Sequence, residues 1–214
     1  CGGTFGVLPE DYTKSHNIVR VAVAKTKGKM RVVTMQGALT KRILDPVHEV
    51  LYDHLTSFGW CVRGDVQKSD FESILQDRQI GEVLVSGDYS SATDNIYVDA
   101  VKAIIEVLCE AVDLTAEEIK ALRESFTDIQ WKSQSGNLYP IRRGSMMGNL
   151  VSFPVLCLLN KACYDISRDT CGNPTGRNRK VRINGDDIMF SGSAAFQAHW
   201  RSVVSHYGLI VNEE

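Results

Sequence analysis

Two carboxylates stand side by side in Ile183-Asn184-Gly185-Asp186-Asp187-Ile188-Met189-Phe190, and a third closes the apolar run Glu82-Val83-Leu84-Val85-Ser86-Gly87-Asp88 far upstream. Neighbouring carboxylates repel and are costly to desolvate unless a cation lies between them. Hard carboxylate oxygens suit Mg²⁺ or Mn²⁺. If Asp88, Asp186 and Asp187 belong to one sheet, they converge, and such a cluster can hold two divalent ions about 4 Å apart, the arrangement used for in-line phosphoryl transfer. One ion would lower the pKa of an attacking 3′-hydroxyl. The other would bind a triphosphate and stabilise the departing pyrophosphate. Asp94, one helical turn beyond Asp88, could accept a hydrogen bond from a ribose hydroxyl. The plain alternatives are a solvated Asn-Gly-Asp turn, a strand-end turn residue at Asp88 and an N-cap at Asp94.

The elements that must position these groups are legible in outline. Asn184-Gly185 between two hydrophobic runs signals a tight hairpin over 181–191. Residues 82–88 read as a buried strand that delivers Asp88 at its carboxyl end, where α/β sheets place their chemistry. Ala100, Val101, Ile104, Ile105, Leu108 and Val112 mark one face of a helix over 95–112. Thr115-Ala116-Glu117-Glu118 is a capping box that starts the next helix. Residues 129–132 and 138–141 flank Ser135-Gly136-Asn137 as a hairpin. The glycine-bearing loop from Arg142 to Asn149 leads into a helix over 152–167, apolar nearly all round, with Ser152 as N-cap and Pro154 in its first turn. A loop of this kind can approach a phosphate closely, although glycine is common in connections generally. Phe196, Trp200, Val203 and Tyr207 define a last helix, with Gly208 as its C′ residue, and Leu209 to Val211 begin a further strand.

The N-terminal part is basic. Val19 to Val23 reads as a strand. Lys25-Thr26-Lys27-Gly28-Lys29-Met30-Arg31 then turns at glycine into the β-branched Val32-Val33-Thr34. Arginine offers a bidentate fork for phosphate and lysine a mobile point charge. Taken alone, the segment is read more simply as a solvated basic hairpin. Residues 38–58 carry a helical repeat (Leu44, Val47, Val50 and Leu51, Leu55, Phe58), with Pro46 at an early turn or kink. Asp70, Phe71 and Ile74 suggest a short helix, with Trp60 and Phe71 in the core. The fold class is α/β: a mainly antiparallel sheet, built from the Asp88 strand and the 181–191 hairpin, backed by helices 95–112 and 152–167.

A length of 214 residues suits one large domain or two small ones, and 43% apolar with 23% charged residues is ordinary for a globular chain. No apolar run is long enough to cross a bilayer. The six cysteines form no Cys-x-x-Cys pair and no zinc-like spacing with histidine, so free thiols in a reducing compartment are expected. The net charge of −2 argues against a nucleic-acid partner. Its distribution argues for one: residues 1–42 hold eight cations against two acids, and residues 168–182 five against one. The chain opens on Cys1 and stops at Glu213-Glu214, which reads as an internal piece of something longer.

Together these segments resemble the palm and part of the fingers of a viral RNA-dependent RNA polymerase. Gly87-Asp88-Tyr89-Ser90-Ser91-Ala92-Thr93-Asp94 resembles motif A, Gly144 to Pro154 motif B, and Asn184-Gly185-Asp186-Asp187 motif C. Lys25 to Thr34 resembles motif F, and His206 to Asn212 the opening of motif D. The run Met147-Gly148-Asn149-Leu150-Val151-Ser152-Phe153-Pro154 is most similar to the ourmia-like viruses and their botourmiavirus relatives in fungi, of the narnavirus and levivirus lineage.

The resemblance implies partial fingers over 1–80, a palm over 81–214 with some fingers-proximal elements within 95–180, and an absent thumb. It implies Asp88 and Asp186 as ligands of two Mg²⁺ or Mn²⁺ ions, with Asp187 adjacent as a weaker one. Asp94 would sense the 2′-hydroxyl. Gly144, Ser145, Gly148 and Asn149 would form the template loop, Ser152 and Asn160 would lie at the nucleotide, and Lys27, Lys29 and Arg31 would face the triphosphate. Where many polymerases carry an Asn in motif B, this chain has Leu156, with Asn160 one turn later. RNA template, nascent RNA and NTPs are the implied partners. The host cytoplasm is the implied place of action, with the mitochondrion as the alternative. Two other readings compete. A reverse transcriptase would usually carry a bulky aromatic where Asp94 stands, which favours RNA synthesis. A degenerate RNA-binding palm would be expected to have lost at least one of the three acids.

Overall fold

The computed structural model describes residues 15–26, 28–171 and 180–212, apart from the side chains of Thr26 and Lys29. In chain order the elements are β1 (Ile18–Thr26), β2 (Lys29–Met35), α1 (Ala38–Ser57), α2 (Lys68–Asp77), β3 (Val83–Gly87), a short turn of helix α3 (Ala92–Asn95), α4 (Val98–Ala111), α5 (Ala116–Glu124), β4 (Gln130–Lys132), β5 (Leu138–Pro140), α6 (Ser152–Thr170), β6 (Val181–Asn184), β7 (Asp187–Gly192) and α7 (Ala194–His206).

The strands form two sheets. One is antiparallel throughout, in the order β3-β7-β6. The other, β2-β1-β4-β5, contains one parallel pair, β1 with β4. The expected sheet of the Asp88 strand and the hairpin is therefore present, with α4, α6 and α7 contributing to a single core beside it. α6 carries the most of that core: Val155, Leu156, Cys157, Leu159, Cys163 and Tyr164 are all buried, as its nearly uniform apolarity requires. The buried face of α1 (Leu44, Val47, Leu51, Leu55) joins the same cluster.

An aromatic group fixes α7 to the sheet. Phe190 packs against Tyr164, Phe196 and Trp200 at ring-centroid distances of 5.2–5.5 Å. Burying each such ring stabilises by roughly 1.5–3 kcal/mol. Trp200 also closes on Gly87, where an added Cβ would stand 2.7 Å from the indole and 2.8 Å from Ile188. Glycine there lets the strand end, and with it Asp88, sit directly against the hairpin. Thr115 and Glu118 form the capping box of α5, and Gly208 follows α7 with φ +88.

Several local expectations are corrected. β3 is an edge strand rather than a fully buried one: Val83 and Leu84 are each 40% exposed. The hairpin turns on Gly185 and Asp186, not on Asn184 and Gly185, because Asn184 still pairs with Asp187. Helix α1 runs on through Pro46, well past its first turn. Phe71 is 43% exposed and is not core, because it lies on the outer face of a short amphipathic helix. Ser152 is the first residue of α6 and not its cap, since its hydroxyl is taken up by carbonyls of the preceding loop. Residues 209–211 make only one isolated pair, Tyr89 with Val211, rather than a strand. The described cysteines, 61, 109, 157, 163 and 171, are free thiols as expected. Among the described residues no helix is long and apolar enough to cross a membrane.

Candidate active site

The β3–β7 register sets Gly87 opposite Ile188, so Asp88 leaves the strand beside the β6–β7 turn. Asp88 and Asp186 line one cavity of about 640 Å³. Arg31 of β2, Asp94 of α3, Gly148, Asn149 and Ser152 line it too. With Asn212, five stretches distant in sequence thus meet around one space. Partial burial raises the Asp186 carboxyl above the ordinary carboxylate range, and the Asp88 charge raises it further, while Arg31 pulls it down. The Asp88 side chain accepts a 2.7 Å hydrogen bond from Asn212 Nδ2, and its carbonyl accepts one of 2.9 Å from the Asn212 N–H.

Asp187 does not line this cavity. It is exposed, opens β7, and lines a neighbouring hollow of about 210 Å³ with Val66, Phe71, Arg182 and Met189. Its carboxyl is also raised, by burial first and then by Asp186 and Asp88. Among the described residues no group of three or more acidic, histidine or cysteine side chains is gathered tightly enough to hold an ion. Of the three acids expected to converge, Asp88 and Asp186 share the cavity, and Asp187 lines the neighbouring hollow. Asp186 sits in the turn whereas Asp187 opens β7, and successive side chains along a strand point to opposite faces.

The loop before α6 is built as a scaffold. Gly144 (φ +91) and Ser145 donate their N–H groups to Ile96 and Thr93 carbonyls, tying the loop to the stretch that bears Asp94. Ser145 is fully buried. The Ser152 hydroxyl lies 2.8 Å from the carbonyls of both Ser145 and Met146. Asn149 faces the cavity but spends its amide on Ser125 and on the Val151 N–H. Gly148 (φ +122) lies against β2, where Thr34 donates both its N–H and its hydroxyl to the Met147 carbonyl. That contact carries Arg31 to the cavity. Lys27 lies outside the described residues, as does the side chain of Lys29.

Asn160, expected at the nucleotide, lies in the interior. It is fully buried and does not line the cavity. Its Oδ1 accepts from the Tyr89 hydroxyl at 2.8 Å, and its Nδ2 donates to the Gly185 carbonyl at 3.3 Å. Burial, with Cys163 and Asp186 nearby, holds the Tyr89 hydroxyl well above its ordinary pKa, so it stays protonated and donates. Tyr89 and Asn212 are the partners that sequence reasoning missed. The position of Tyr89 next to Asp88 was the only signal available for it.

Fold and site together define a fragment of a right-hand polymerase. The structure superposes on the BmCPV RNA-dependent RNA polymerase at its elongation state with a TM-score of 0.67, at 12% identity, covering 96% of this chain and 21% of that one. It superposes on apo telomerase from Candida tropicalis with a TM-score of 0.62, at 14% identity, covering 96% of this chain and 44% of that one. Residues 7–213 match the mitovirus RNA-dependent RNA polymerase family, and the chain belongs to that family. It is also 28% identical over 203 residues to the RNA-dependent RNA polymerase of Ourmia melon virus (isolate Melon/Iran/VE9), covering 85% of this chain. The chain spans about a quarter of that relative's length, the share being 24%. The expected kinship with ourmia-like viral polymerases is thereby borne out.

Proposed function

We propose that this chain is the catalytic segment of a viral polymerase that copies RNA from an RNA template, adding NTPs to an RNA 3′-hydroxyl. The observation that carries the reading is the meeting of Asp88 and Asp186 with Arg31 and Asp94 around one cavity. Two hard carboxylates of like charge, with the Asp88 charge disfavouring ionisation of Asp186, suit a divalent cation. Asp88 and Asp186 are the residues that would hold Mg²⁺ or Mn²⁺, with Asp187 as an adjacent, weaker participant. When bound, a pair of such ions supplies activation of the 3′-hydroxyl and charge stabilisation of the leaving pyrophosphate. Arg31 gives the triphosphate a bidentate partner and offsets the acids. Asp94 offers an acceptor to the ribose 2′-hydroxyl, favouring NTPs over dNTPs. The loop from Gly144 to Asn149 backs the template. β1 and β2 act as part of the fingers, and the β3-β7-β6 sheet as the palm, in the host cytoplasm or mitochondrion.

The test is template-dependent incorporation by the protein at the length of its relatives, with NTPs against dNTPs and an RNA against a DNA template. Mg²⁺-dependent NTP incorporation on RNA supports the reading. Preference for dNTPs makes the protein a reverse transcriptase, and failure on every template, with Mn²⁺ as well, makes it a binding module.

A further inference from the structure

Behind the cavity, the two segments that bear its acids are joined through one side chain. Asn160 projects from α6 with no exposed surface. It accepts from Tyr89, the residue after Asp88, and donates to the carbonyl of Gly185, the residue before Asp186. A primary amide is suited to this, being donor and acceptor at once. Leucine or alanine there would leave a buried hydroxyl and a buried carbonyl unpaired, which is expensive in a dry interior. The same helix supports the turn a second time, through the Gly185 N–H and Cys157 Sγ at 3.2 Å. The Tyr89 ring is held from the far side by Trp200, at 6.2 Å between centroids. Neither Tyr89 nor Gly185 can move without straining the bridge, so the separation of the two acids is set from α6.

We infer that Asn160 is a positioning residue that fixes Asp88 relative to Asp186 by bridging Tyr89 and Gly185, and that it makes no contact with the nucleotide. The inference rests on the polymerase reading above. Its chemical consequence is specific. Loosening the bridge should weaken metal binding and the chemical step, and leave NTP affinity and ribose choice alone.

The experiment compares wild type, Tyr89→Phe, Asn160→Ala and the double variant at the length of the protein's relatives, with Asp186→Ala as control. Tyr89→Phe removes one hydroxyl and keeps the ring, so it remains informative should Asn160→Ala fold poorly. Each single variant is expected to lower kcat by about ten-fold, with the KM for NTP and the NTP-to-dNTP preference unchanged. The double variant should lose no more than the worse single one, because both changes break one unit. Mn²⁺ binding followed by EPR without nucleotide should weaken in both single variants. A merely structural role would lower the melting temperature without moving the Mn²⁺ affinity of the folded fraction. Wild-type kcat in Tyr89→Phe, or multiplicative losses in the double variant, overturns the bridge. Collapse of ribose preference in Asn160→Ala at unchanged kcat makes it a nucleotide contact instead. Incorporation that survives Asp186→Ala refutes the site assignment itself, and the bridge falls with it.

Discussion

Gly148→Ala is the substitution whose consequence the structure defines most sharply. Gly148 has φ +122, a backbone conformation open almost only to glycine. An added Cβ would stand 2.0 Å from the Thr34 carbonyl oxygen. That oxygen belongs to β2, paired with Val21 of β1, and Thr34 is held by its two bonds to the Met147 carbonyl at 2.8 and 2.9 Å. The neighbour is backbone and cannot swing aside, so loop and strand must part. Backbone strain costs about 1–2 kcal/mol. Two hydrogen bonds lost add roughly 1 kcal/mol each in net terms. The sum, about 3–4 kcal/mol, is a large share of the roughly 5–15 kcal/mol that holds a typical domain together. Urea unfolding should show the loss. Because Arg31 lies on the displaced strand, the KM for NTP should rise as well. A variant within about 1 kcal/mol of wild type, with its KM intact, would refute the argument that this contact couples the basic hairpin to the loop.

Two further predictions concern the charges. Asp186 has a raised pKa, so the folded state binds its proton more tightly than the unfolded state does. Metal-free stability therefore falls as pH rises from the ordinary carboxylate range through the raised value. Asp186→Asn should melt higher than wild type at pH 8 in EDTA, lose that advantage at low pH, and show less stabilisation by Mn²⁺. Equal melting at pH 8 would count against it. Arg31→Ala should raise the KM for NTP by about ten-fold, with kcat less affected, and Arg31→Lys should recover only part of the loss because it lacks the fork. Steady-state kinetics separates these outcomes.

The parts of the fold written in local pattern were legible from the chain alone. The capping box at Thr115, the apolar face of α4 and the hairpin over 181–191 each depend on neighbours within a turn or two. The pairing of Asp88 with Asp186 followed from a strand end and a hairpin tip belonging to one sheet. The facing of Asp187 did not, because only the assembled hairpin places Asp186 in the turn and Asp187 in β7, whose successive side chains alternate between faces. The bridging place of Asn160 is not legible for a related reason: its partners lie 71 and 25 residues away, and no periodicity announces them. Phe71 reads as core on its type alone, whereas α2 turns it outward. Gly148 meets β2 where Thr34 bonds the Met147 carbonyl, 113 residues away, and only the assembled structure shows why glycine stands there.

The most direct test of the account is NTP incorporation on an RNA template by Asp88→Ala, Asp186→Ala and Asp187→Ala side by side, each checked for folding by circular dichroism. The two acids that share the cavity should each be indispensable, and Asp187→Ala should keep measurable incorporation. Activity that survives Asp186→Ala, or is abolished by Asp187→Ala alone, would contradict the assignment of the chemistry to the Asp88–Asp186 pair.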